Sequence, residues 1–321
     1  MFRHLGVETD KPYFGHPSNS EVKIFVICDV CHMLKLVRNT LGDLKILQDS
    51  DNNQIRWAHI TALLDVQESA GFRAANKLSV KHIKYRKHIM KVKLAAQVLS
   101  SSVADALEFL CEDCSDTRQK DNEATVKFVR KIDHLFDLLN SHSPFARGFK
   151  AALRCHNMRY WTECLSELRD YISALKTVDG TLLLNHRRKT AFVGFIISIN
   201  SVIGLATELL TRDVNPFKYF LTYKLSQDHL ELFFSKIRSK GGGFNNSVVF
   251  LRNWSHTELM NDFCLQSNLL PVIRRKCNTY HFSMKHFKCF DHFIVSDALF
   301  QNAVKLQYVS HDDDNRSHCC L

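Results

Sequence analysis

Asp228 and Glu231 are the two residues whose type and spacing point most directly to chemistry in this sequence. They stand at i, i+3 in segment 225–246, whose apolar period predicts one amphipathic helix with Ser226 as its N-cap and the glycines 241–243 as its end. Two carboxylates one turn apart repel each other unless a positive partner lies between them, and a divalent cation is one such partner. The alternative is an acidic first turn that complements the helix dipole, which by spacing alone is the commoner arrangement.

A further carboxylate, Asp29, follows directly after the apolar, β-branched run 22–28, which predicts a buried strand. Open α/β sheets bind their ligands at the carboxyl ends of strands, although Asp is equally suited to cap the helix predicted over 30–41. If Asp29, Asp228 and Glu231 converge, they form a cluster of carboxylates that can hold two metal ions for a phosphoryl transfer.

The charge of the chain favours a polyanionic partner. Its 321 residues are 45% hydrophobic and 24% charged, with a formal net charge of +10 and a pI of about 9.0. Basic excess of this size favours nucleic acid first. The cations are clustered in three runs, at 77–93, 186–189 and 274–276.

The sequence predicts neither a membrane span nor a disulfide framework. No run of eighteen apolar residues occurs, and residues 1–8 have no apolar stretch typical of a signal peptide. The cysteines number eleven and stand singly or in close pairs, which favours free thiols in a reducing compartment. The pairs Cys28/Cys31 and Cys111/Cys114 resemble halves of a zinc site, but their wide separation favours buried thiols over a structural zinc.

The pattern of elements predicts an α/β chain that is mainly helical overall. Two short extended pieces are expected within 44–57, around the turn 49–53, and Gly42 is expected to end the first helix. The predicted helices that follow are 58–70, 80–93, 94–111, 124–140, 164–174 and 192–210. The block from 71 to 177 has almost no glycine or proline, and therefore indicates an all-helical unit between two segments with sheet character.

Four segments, taken in order, resemble motifs of the P-element-like (THAP-type) DNA transposases. They are DVCHMLKLVRN at 29–39, ANKLS at 75–79, MKVKLAAQVLS at 90–100 and LSQDHLELFFSKIR at 225–238, with GGFNN following at 242–246. The resemblance covers roughly residues 10–250, and the ordered set is far more specific than any single motif.

What the resemblance implies is a partial RNase H-like domain interrupted by an all-helical GTP-binding insertion. The implied boundaries are 1–65 and 181–246 for the RNase H-like parts and 66–180 for the insertion. Residues 247–321 form a divergent region with a tail expected to be disordered. Asp29, Asp228 and Glu231 would be the catalytic and Mg²⁺-binding carboxylates, with Asp228 beside the metal of the bound nucleotide.

The resemblance also implies a GTP site. The guanine would be held by the pair Phe136 and Asp137, because a carboxylate accepts the N1 and N2 hydrogens of guanine and an aromatic ring stacks on the base. Asp133 stands where the family often has Asn. The full implied nucleotide-binding set is Lys77, Lys91, Val92, Ser100, Asp133, Phe136 and Asp137.

The start of the sequence departs from the family pattern. Only 28 residues precede Asp29, whereas the family's first catalytic aspartate lies well upstream on an earlier strand, and Asp10 is in no strand-like segment. The expectation is therefore a transposase-derived chain, truncated at its N-terminus, whose ancestral Mg²⁺-dependent DNA cleavage and strand transfer is impaired. The alternatives are a domesticated, non-catalytic GTP- and DNA-binding module, or a translated remnant whose unpaired sheet edges favour aggregation. Expected partners are DNA and GTP, with self-association open and no membrane. The expected location is the nucleus, or the cytoplasm if import signals are lost.

Overall fold

The computed structural model describes residues 5–71, 75, 77–113, 121–214, 216–228, 231–232, 235 and 293–294. It divides into two units, 1–225 and 226–321, each of which is taken by itself. Helices dominate the first unit, which confirms the mainly helical prediction, while the interruption of an RNase H-like domain by an insertion stays a prediction. The helices are α1 (Val30–Leu44), α2 (Trp57–Ala70), α3 (Val80–Ile83), α4 (Val92–Val98), α5 (Ser101–Asp113), α6 (Glu123–Leu139), α7 (Met158–Ser173) and α8 (Thr190–Thr211). The strands of this unit are β1 (Tyr13–His16), β2 (Asn19–Phe25), β3 (Ile27–Cys28), β4 (Ile46–Gln48) and β5 (Gln54–Arg56), and β6 (Phe293–Ile294) belongs to the second unit.

The buried strand predicted over 22–28 is only partly correct. β2 pairs with β1 in an antiparallel hairpin and is mostly exposed, with Val22 at 40% of its full exposure. Burial begins at Val26, where the chain passes under α8. The apolar run therefore contains the end of a surface hairpin and then a short buried strand.

Two serines of α8 hold this short buried segment. The Ser198 hydroxyl accepts a hydrogen bond from the Cys28 N–H at 2.9 Å and bonds its carbonyl at 3.2 Å, and the Ser201 hydroxyl donates to the Val26 carbonyl. A buried backbone polar group without a partner costs free energy, so polar side chains in an apolar helix have a clear role here. They fix the position of the chain one residue before Asp29.

The prediction that Gly42 ends the first helix is wrong, because α1 continues to Leu44. Gly42 is buried within the helix, and a Cβ on it would lie 2.4 Å from a ring carbon of Tyr85. The glycine is thus required by the close approach of the Tyr85 ring. The helix ends instead at Lys45, whose φ is 67°.

The hairpin predicted within 44–57 and the helix after it are confirmed. β4 and β5 pair in antiparallel register around the turn 49–53. The Asp49 carboxylate accepts hydrogen bonds from the N–H groups of Asp51 and Asn53, at 3.0 and 2.9 Å. An aspartate that bonds its own following backbone in this way stabilises a tight turn.

The single helix predicted over 80–93 is broken. α3 is followed by a 3₁₀ turn, Tyr85–His88, and α4 starts only at Val92. The Arg38 guanidinium donates to the Ile89 carbonyl at 3.0 Å, so a tertiary contact holds this turn. Six cations in one continuous helix would also repel each other. The helix predicted over 94–111 is likewise divided between α4 and α5.

α6, α7 and α8 contribute a large part of the core of the first unit. α6 and α8 match their predicted ranges closely, while α7 begins six residues earlier than predicted, at Met158. α8 is long and apolar enough to cross a membrane by length and composition, but 67% of its most apolar window is buried in the protein. It packs against α1 and α7 through fully buried Phe192, Phe195 and Ile199, which accounts for its composition.

Candidate nucleotide-binding site

Helix α6 carries the central residues of the predicted nucleotide site. Its apolar stripe is buried, with Phe128, Ile132 and Leu135 fully inaccessible, and this stripe fixes the rotation of the helix. Asp133, Phe136 and Asp137 are half-buried next to the stripe. The two aspartates are four residues apart, which places their carboxylates next to each other on one face of the helix.

Asp133 contacts the start of α5. Its Oδ2 accepts hydrogen bonds from the backbone N–H of Ser101 at 2.8 Å and from the Ser101 hydroxyl at 2.5 Å. A carboxylate at a helix N-terminus satisfies a free N–H group and complements the helix dipole. The contact brings two predicted residues together, because Ser100 is adjacent to Ser101. The Ser100 hydroxyl itself donates to the Gln97 carbonyl at 3.0 Å.

The carboxylate of Asp137 is a hydrogen-bond acceptor with little positive charge close to it. Burial raises the pKa of the Asp137 carboxyl above its ordinary value, and the negative charge of Asp133 raises it further. Lys150 opposes the rise, with its Nζ 3.7 Å from Oδ2 of Asp137 and most of its side chain in solvent. A half-buried carboxylate in these surroundings gains most from N–H donors that approach it together, as N1 and N2 of a guanine do.

The turn Gly148–Lys150 forms a wall beside this part of α6. The Phe149 ring stacks on the imidazole of His134, with centroids 3.7 Å apart and planes at 15°. Burial lowers the pKa of His134 below its ordinary value, so the stack is between an aromatic ring and a neutral imidazole near pH 7. The predicted set does not include Ser101, Phe149 or Lys150. These residues contact α6 only through tertiary packing, which no periodicity in the sequence indicates.

An open groove between α5 and α6, with a volume of about 550 Å³, lies beside the site and contains none of its predicted residues. Arg130 on α6 forms ion pairs across the groove with Asp105 at 2.7 Å and with Glu108 at 2.8 Å, both on α5. These pairs are largely exposed, and pairs of that kind contribute about 0.2–1 kcal/mol each. The chemistry of Asp133 and Asp137 therefore locates the candidate site better than the size of the groove does.

Three other residues of the predicted nucleotide-binding set lie outside α6. Lys91 is the N-cap of α4, Val92 is its first residue, and Lys77 is exposed in the turn before α3. Across the described part of the chain, no hydrogen bond or ion pair joins Lys77 or Lys91 to Asp133 or Asp137. Their role at the nucleotide therefore stays a prediction.

Arg38 is a positioning residue that the sequence analysis missed. Its guanidinium is fully buried, donates to Asn39 Oδ1 at 2.7 Å and to the Ile89 carbonyl at 3.0 Å, and lies over the Tyr85 ring at 5.0 Å. Burial lowers the pKa of this guanidinium from its ordinary value. Because Ile89 is two residues before Lys91, Arg38 fixes the turn from which Lys91 and Val92 project. The only sequence signal was its place in the 29–39 motif.

Asp29 caps helix α1 in the structure, as the alternative interpretation predicted. It is 4% exposed, and its Oδ2 accepts the His32 N–H at 2.9 Å. The thiol beside it, Cys28, is buried, and burial raises its pKa to about 12. Carboxylate oxygen is the donor type that Mg²⁺ prefers, but one carboxylate does not make a magnesium site.

Asp228 and Glu231 are each in helical conformation in the second unit. The Glu231 N–H donates to the Gln227 carbonyl at 3.0 Å, and the Asp228 N–H donates to the Ser226 hydroxyl at 3.4 Å, which supports Ser226 as the N-cap. The predicted apolar stripe of this helix and the glycines 241–243 lie outside the described residues.

The convergence of the three carboxylates stays a prediction. Asp29 belongs to the first unit, and Asp228 and Glu231 belong to the second. Within the described ranges, no three histidine, cysteine, aspartate or glutamate side chains are grouped so that they could hold a metal ion. The two cysteine pairs that resembled halves of a zinc site differ in what is described. Cys28 and Cys31 are free thiols, and the side chains of Cys111 and Cys114 lie outside the described part.

Two family models match the sequence. Residues 31–152 match the TNP-like, GTP-binding insertion domain, and residues 223–247 match the TNP-like, RNase H C-terminal domain. The first match includes α6, with Asp133, Phe136 and Asp137, and the second includes Asp228 and Glu231.

Two curated proteins and one solved structure are similar to the chain. The DNA transposase THAP9 of Homo sapiens is 31% identical over 243 residues, which is 74% of this chain and 26% of that protein. The Transposable element P transposase of Drosophila melanogaster is 27% identical over 278 residues, which is 84% of this chain and 35% of that protein. A chain of the Drosophila P element transposase strand transfer complex superposes with a TM-score of 0.68 at 24% identity, covering 82% of this chain and 57% of that one. At that identity the superposition shows the fold alone.

The helical fold and the two matched domains define a chain of the DNA transposase class. Within that class, the chain belongs to the P-element-like transposases, as its motifs predicted. It spans between a quarter and about a third of the length of the two curated relatives.

Proposed function

We propose that this chain binds GTP on α6 as part of a P-element-type transposase, whose chemistry is Mg²⁺-dependent cleavage and joining of DNA. The observation that carries the nucleotide site is the pair Asp133 and Asp137, half-buried one turn apart on α6, with the first anchored to the start of α5 and the second short of positive partners. The match of residues 31–152 to a GTP-binding insertion domain supports the same site.

Each residue of the proposed site has a chemical role that its type suits. Asp137 would accept the N1 and N2 hydrogens of guanine, and the Phe136 ring would stack on the base. Lys91 and Lys77 would meet the phosphates as point charges, with Ser100 and Val92 lining the pocket. Asp133 would hold the start of α5 in place beside the nucleotide.

Isothermal titration of GTP into the full chain tests the site. We expect saturable binding in the parent chain and a loss of roughly tenfold to a hundredfold in Asp137→Ala, since a hydrogen bond to a charged group contributes about 1.5–3 kcal/mol. Asp170→Ala is the matched control, because it removes an exposed aspartate on α7 whose side chain pairs, among the described residues, only with its neighbour Arg169. Absence of GTP binding in the parent chain, or equal binding in the parent and Asp137→Ala, would refute the site.

The proposed catalytic function depends on the carboxylates Asp29, Asp228 and Glu231. Asp29 and Glu231 would hold the Mg²⁺ ions that promote strand cleavage, with Asp228 near the metal of the nucleotide. We infer that strand cleavage by a polypeptide of these 321 residues alone is impaired, because the sequence supplies no clear equivalent of the first family aspartate. A Mg²⁺-dependent nicking assay on transposon-end DNA decides this. Robust turnover that Glu231→Gln abolishes would contradict the impairment.

A GTP- and DNA-binding module without catalysis is the second candidate. It is favoured by the extent of the family matches: residues 31–152 match the GTP-binding insertion domain, whereas only residues 223–247 match the RNase H C-terminal domain. GTP binding without any nicking, in the parent chain and in Glu231→Gln alike, is the outcome it predicts. Either function would operate on DNA in the nucleus, or in the cytoplasm if import signals are lost.

A further inference from the structure

Two basic runs that are about a hundred residues apart in sequence meet at one carboxylate, Asp43 on α1. From the first run, the Tyr85 hydroxyl donates to Asp43 Oδ1 at 2.5 Å, and Arg86 Nη2 lies 3.5 Å from the same oxygen. From the second run, Arg188 Nη2 lies 2.5 Å from Asp43 Oδ2. Asp43 therefore joins segment 81–88 to segment 186–189.

Asp43 is a fixed anion in this contact. Burial works to raise the pKa of its carboxyl, but the hydrogen bond from Tyr85 and the charges of Arg188 and Arg86 outweigh burial and lower the pKa below its ordinary value. The Tyr85 ring can reach Asp43 because Gly42 leaves room for it on the surface of α1. The junction is thus built into the packing of the fold.

The cations around the junction greatly exceed the anions. Neither 77–93 nor 181–190 contains an aspartate or glutamate. Arg187 and Lys189 are exposed, as are Lys81, Lys84 and Lys87. Within the described residues, none of these five has a carboxylate within ion-pair distance.

The pKa of His88 indicates the same excess of positive charge. Loss of solvent, followed by the positive charges of Lys91, Lys81, Lys87 and Arg38, lowers the pKa of its imidazole below the ordinary value. Charges that perturb a common neighbour lie close together in space. The first run is therefore folded into a compact cationic surface around the turn Tyr85–His88.

We propose that the two runs form one surface for the phosphate backbone of duplex DNA, here named the Asp43 basic surface. It consists of Lys81, Lys84, Arg86, Lys87, Arg187 and Lys189. It deepens the proposed function by assigning part of the DNA contact to named residues, and it excludes Lys77 and Lys91, which belong to the proposed GTP site. Lysine side chains bind phosphate as point charges, so the contact is independent of sequence and steeply dependent on salt.

DNA fits this surface better than a lipid headgroup layer does. The cations come from the four-residue helix α3, the 3₁₀ turn after it and a loop fixed by an ion pair. Basic membrane-binding segments are instead typically long helices with a broad apolar face. Ile89 and Met90 are exposed beside the cations, at 43% and 67%, so vesicles of anionic phospholipid belong in the test as a competing outcome.

Fluorescence anisotropy of a labelled random-sequence duplex, over a series of KCl concentrations, tests the surface in the full chain. One variant, Lys84→Gln/Lys87→Gln, removes two charges from the first run, and another, Arg187→Gln/Lys189→Gln, removes two from the second. The control is Arg147→Gln/Lys218→Gln, which removes two exposed cations outside both runs. Thermal unfolding of every variant checks the fold.

We expect each surface variant to bind DNA about tenfold or more weakly at low salt and to reduce the slope of log affinity against log salt by about 1.8, since each phosphate contact contributes about 0.9. The control should keep the parent slope. Equal effects in the control and both surface variants, or binding to anionic vesicles without binding to DNA, would overturn the surface. GTP titration of the same variants should be unchanged, so a failed GTP site and a failed DNA surface give different results.

Discussion

Asp133 offers a sharp test of the electrostatics at the candidate GTP site. In Asp133→Asn the amide oxygen can still accept the Ser101 N–H, whereas the negative charge beside Asp137 is lost. Because Asp133 raises the pKa of Asp137, the substitution lowers that pKa towards its ordinary value. At a pH below the Asp137 pKa of the parent chain, where that carboxyl is largely protonated, we therefore expect tighter GTP binding in Asp133→Asn than in the parent chain.

The size of the effect follows from the spacing of the two carboxylates. Side chains at i, i+4 lie about 5–6 Å apart at Cβ. Two unit charges at about 6 Å interact by roughly 0.7 kcal/mol in water and roughly 2.8 kcal/mol at an effective dielectric constant of 20. Both groups are half-buried, so the gain in GTP affinity at a pH below the Asp137 pKa, where the parent carboxyl is protonated, should fall between about threefold and a hundredfold.

The sign of the pH dependence is fixed by the same pKa. Asp137 must be ionised to accept both guanine hydrogens, so GTP binding should weaken as the pH falls through its raised pKa. In Asp133→Asn this loss should move to lower pH. For folding, a raised carboxyl pKa favours the protonated native state. The stability it contributes is therefore present below the unfolded pKa and is lost as the pH rises through the folded one.

Titration of GTP at several pH values, with chemical unfolding of each variant, measures these effects. Asp133→Ala is the control that removes both the charge and the acceptor of Ser101. We expect it to lower the free energy of unfolding by about 1–3 kcal/mol, because the start of α5 loses its partner. If Asp133→Asn is as stable as the parent and binds GTP no more tightly at any pH of the series, the reasoning about the carboxylate pair is wrong.

Three further predictions concern the packing around the site. Gly42→Ala should lower the free energy of unfolding by about 1–3 kcal/mol in urea denaturation, because its Cβ would meet the Tyr85 ring at 2.4 Å; an unchanged midpoint would contradict this packing. Ser198→Ala should cost about 1–3 kcal/mol, since the buried Cys28 N–H loses its acceptor at 2.9 Å, while Ser173→Ala on α7 serves as a control at a half-buried serine. Cys28 should resist alkylation in the native chain while exposed Cys155 reacts, because Cys28 is buried with its pKa raised to about 12; rapid native labelling of Cys28, read by peptide mass spectrometry, would contradict its burial.

Sequence periodicity was sufficient where one buried stripe decides an element. α2 and α6 follow their predicted ranges because their apolar residues fall on faces that the core covers. Over the apolar run of α8, periodicity could not decide between helix and strand, and the prediction of a helix is confirmed. The hairpin around 49–53 was equally predictable, since its turn residues bond their own backbone. The same pattern placed Asp133, Phe136 and Asp137 on one helix, and the resemblance supplied a reason to connect them.

Tertiary contacts decided the elements that periodicity missed. The break in the 80–93 helix depends on Arg38 bonding the Ile89 carbonyl and on Tyr85 entering the space over Gly42. Neither contact has a local signature, because Arg38 and Gly42 belong to α1. The same holds for Ser101 and Lys150, which flank the two aspartates of the site, and for Arg188, which meets the first basic run at Asp43.

Nucleotide selectivity is the most direct test of the central claim, that Asp137 recognises guanine. GTP, ITP and ATP are titrated into the parent chain and into Asp137→Ala: ITP lacks the N2 amino group, and ATP has neither the N1 hydrogen nor the N2 amine. The parent chain should bind GTP most tightly, ITP about tenfold more weakly and ATP more weakly still, because each missing hydrogen bond to the carboxylate costs about 1.5–3 kcal/mol. In Asp137→Ala the three affinities should become similar. Equal affinity of the parent chain for GTP and ATP, or full selectivity retained in Asp137→Ala, would contradict the assignment of this carboxylate to the base.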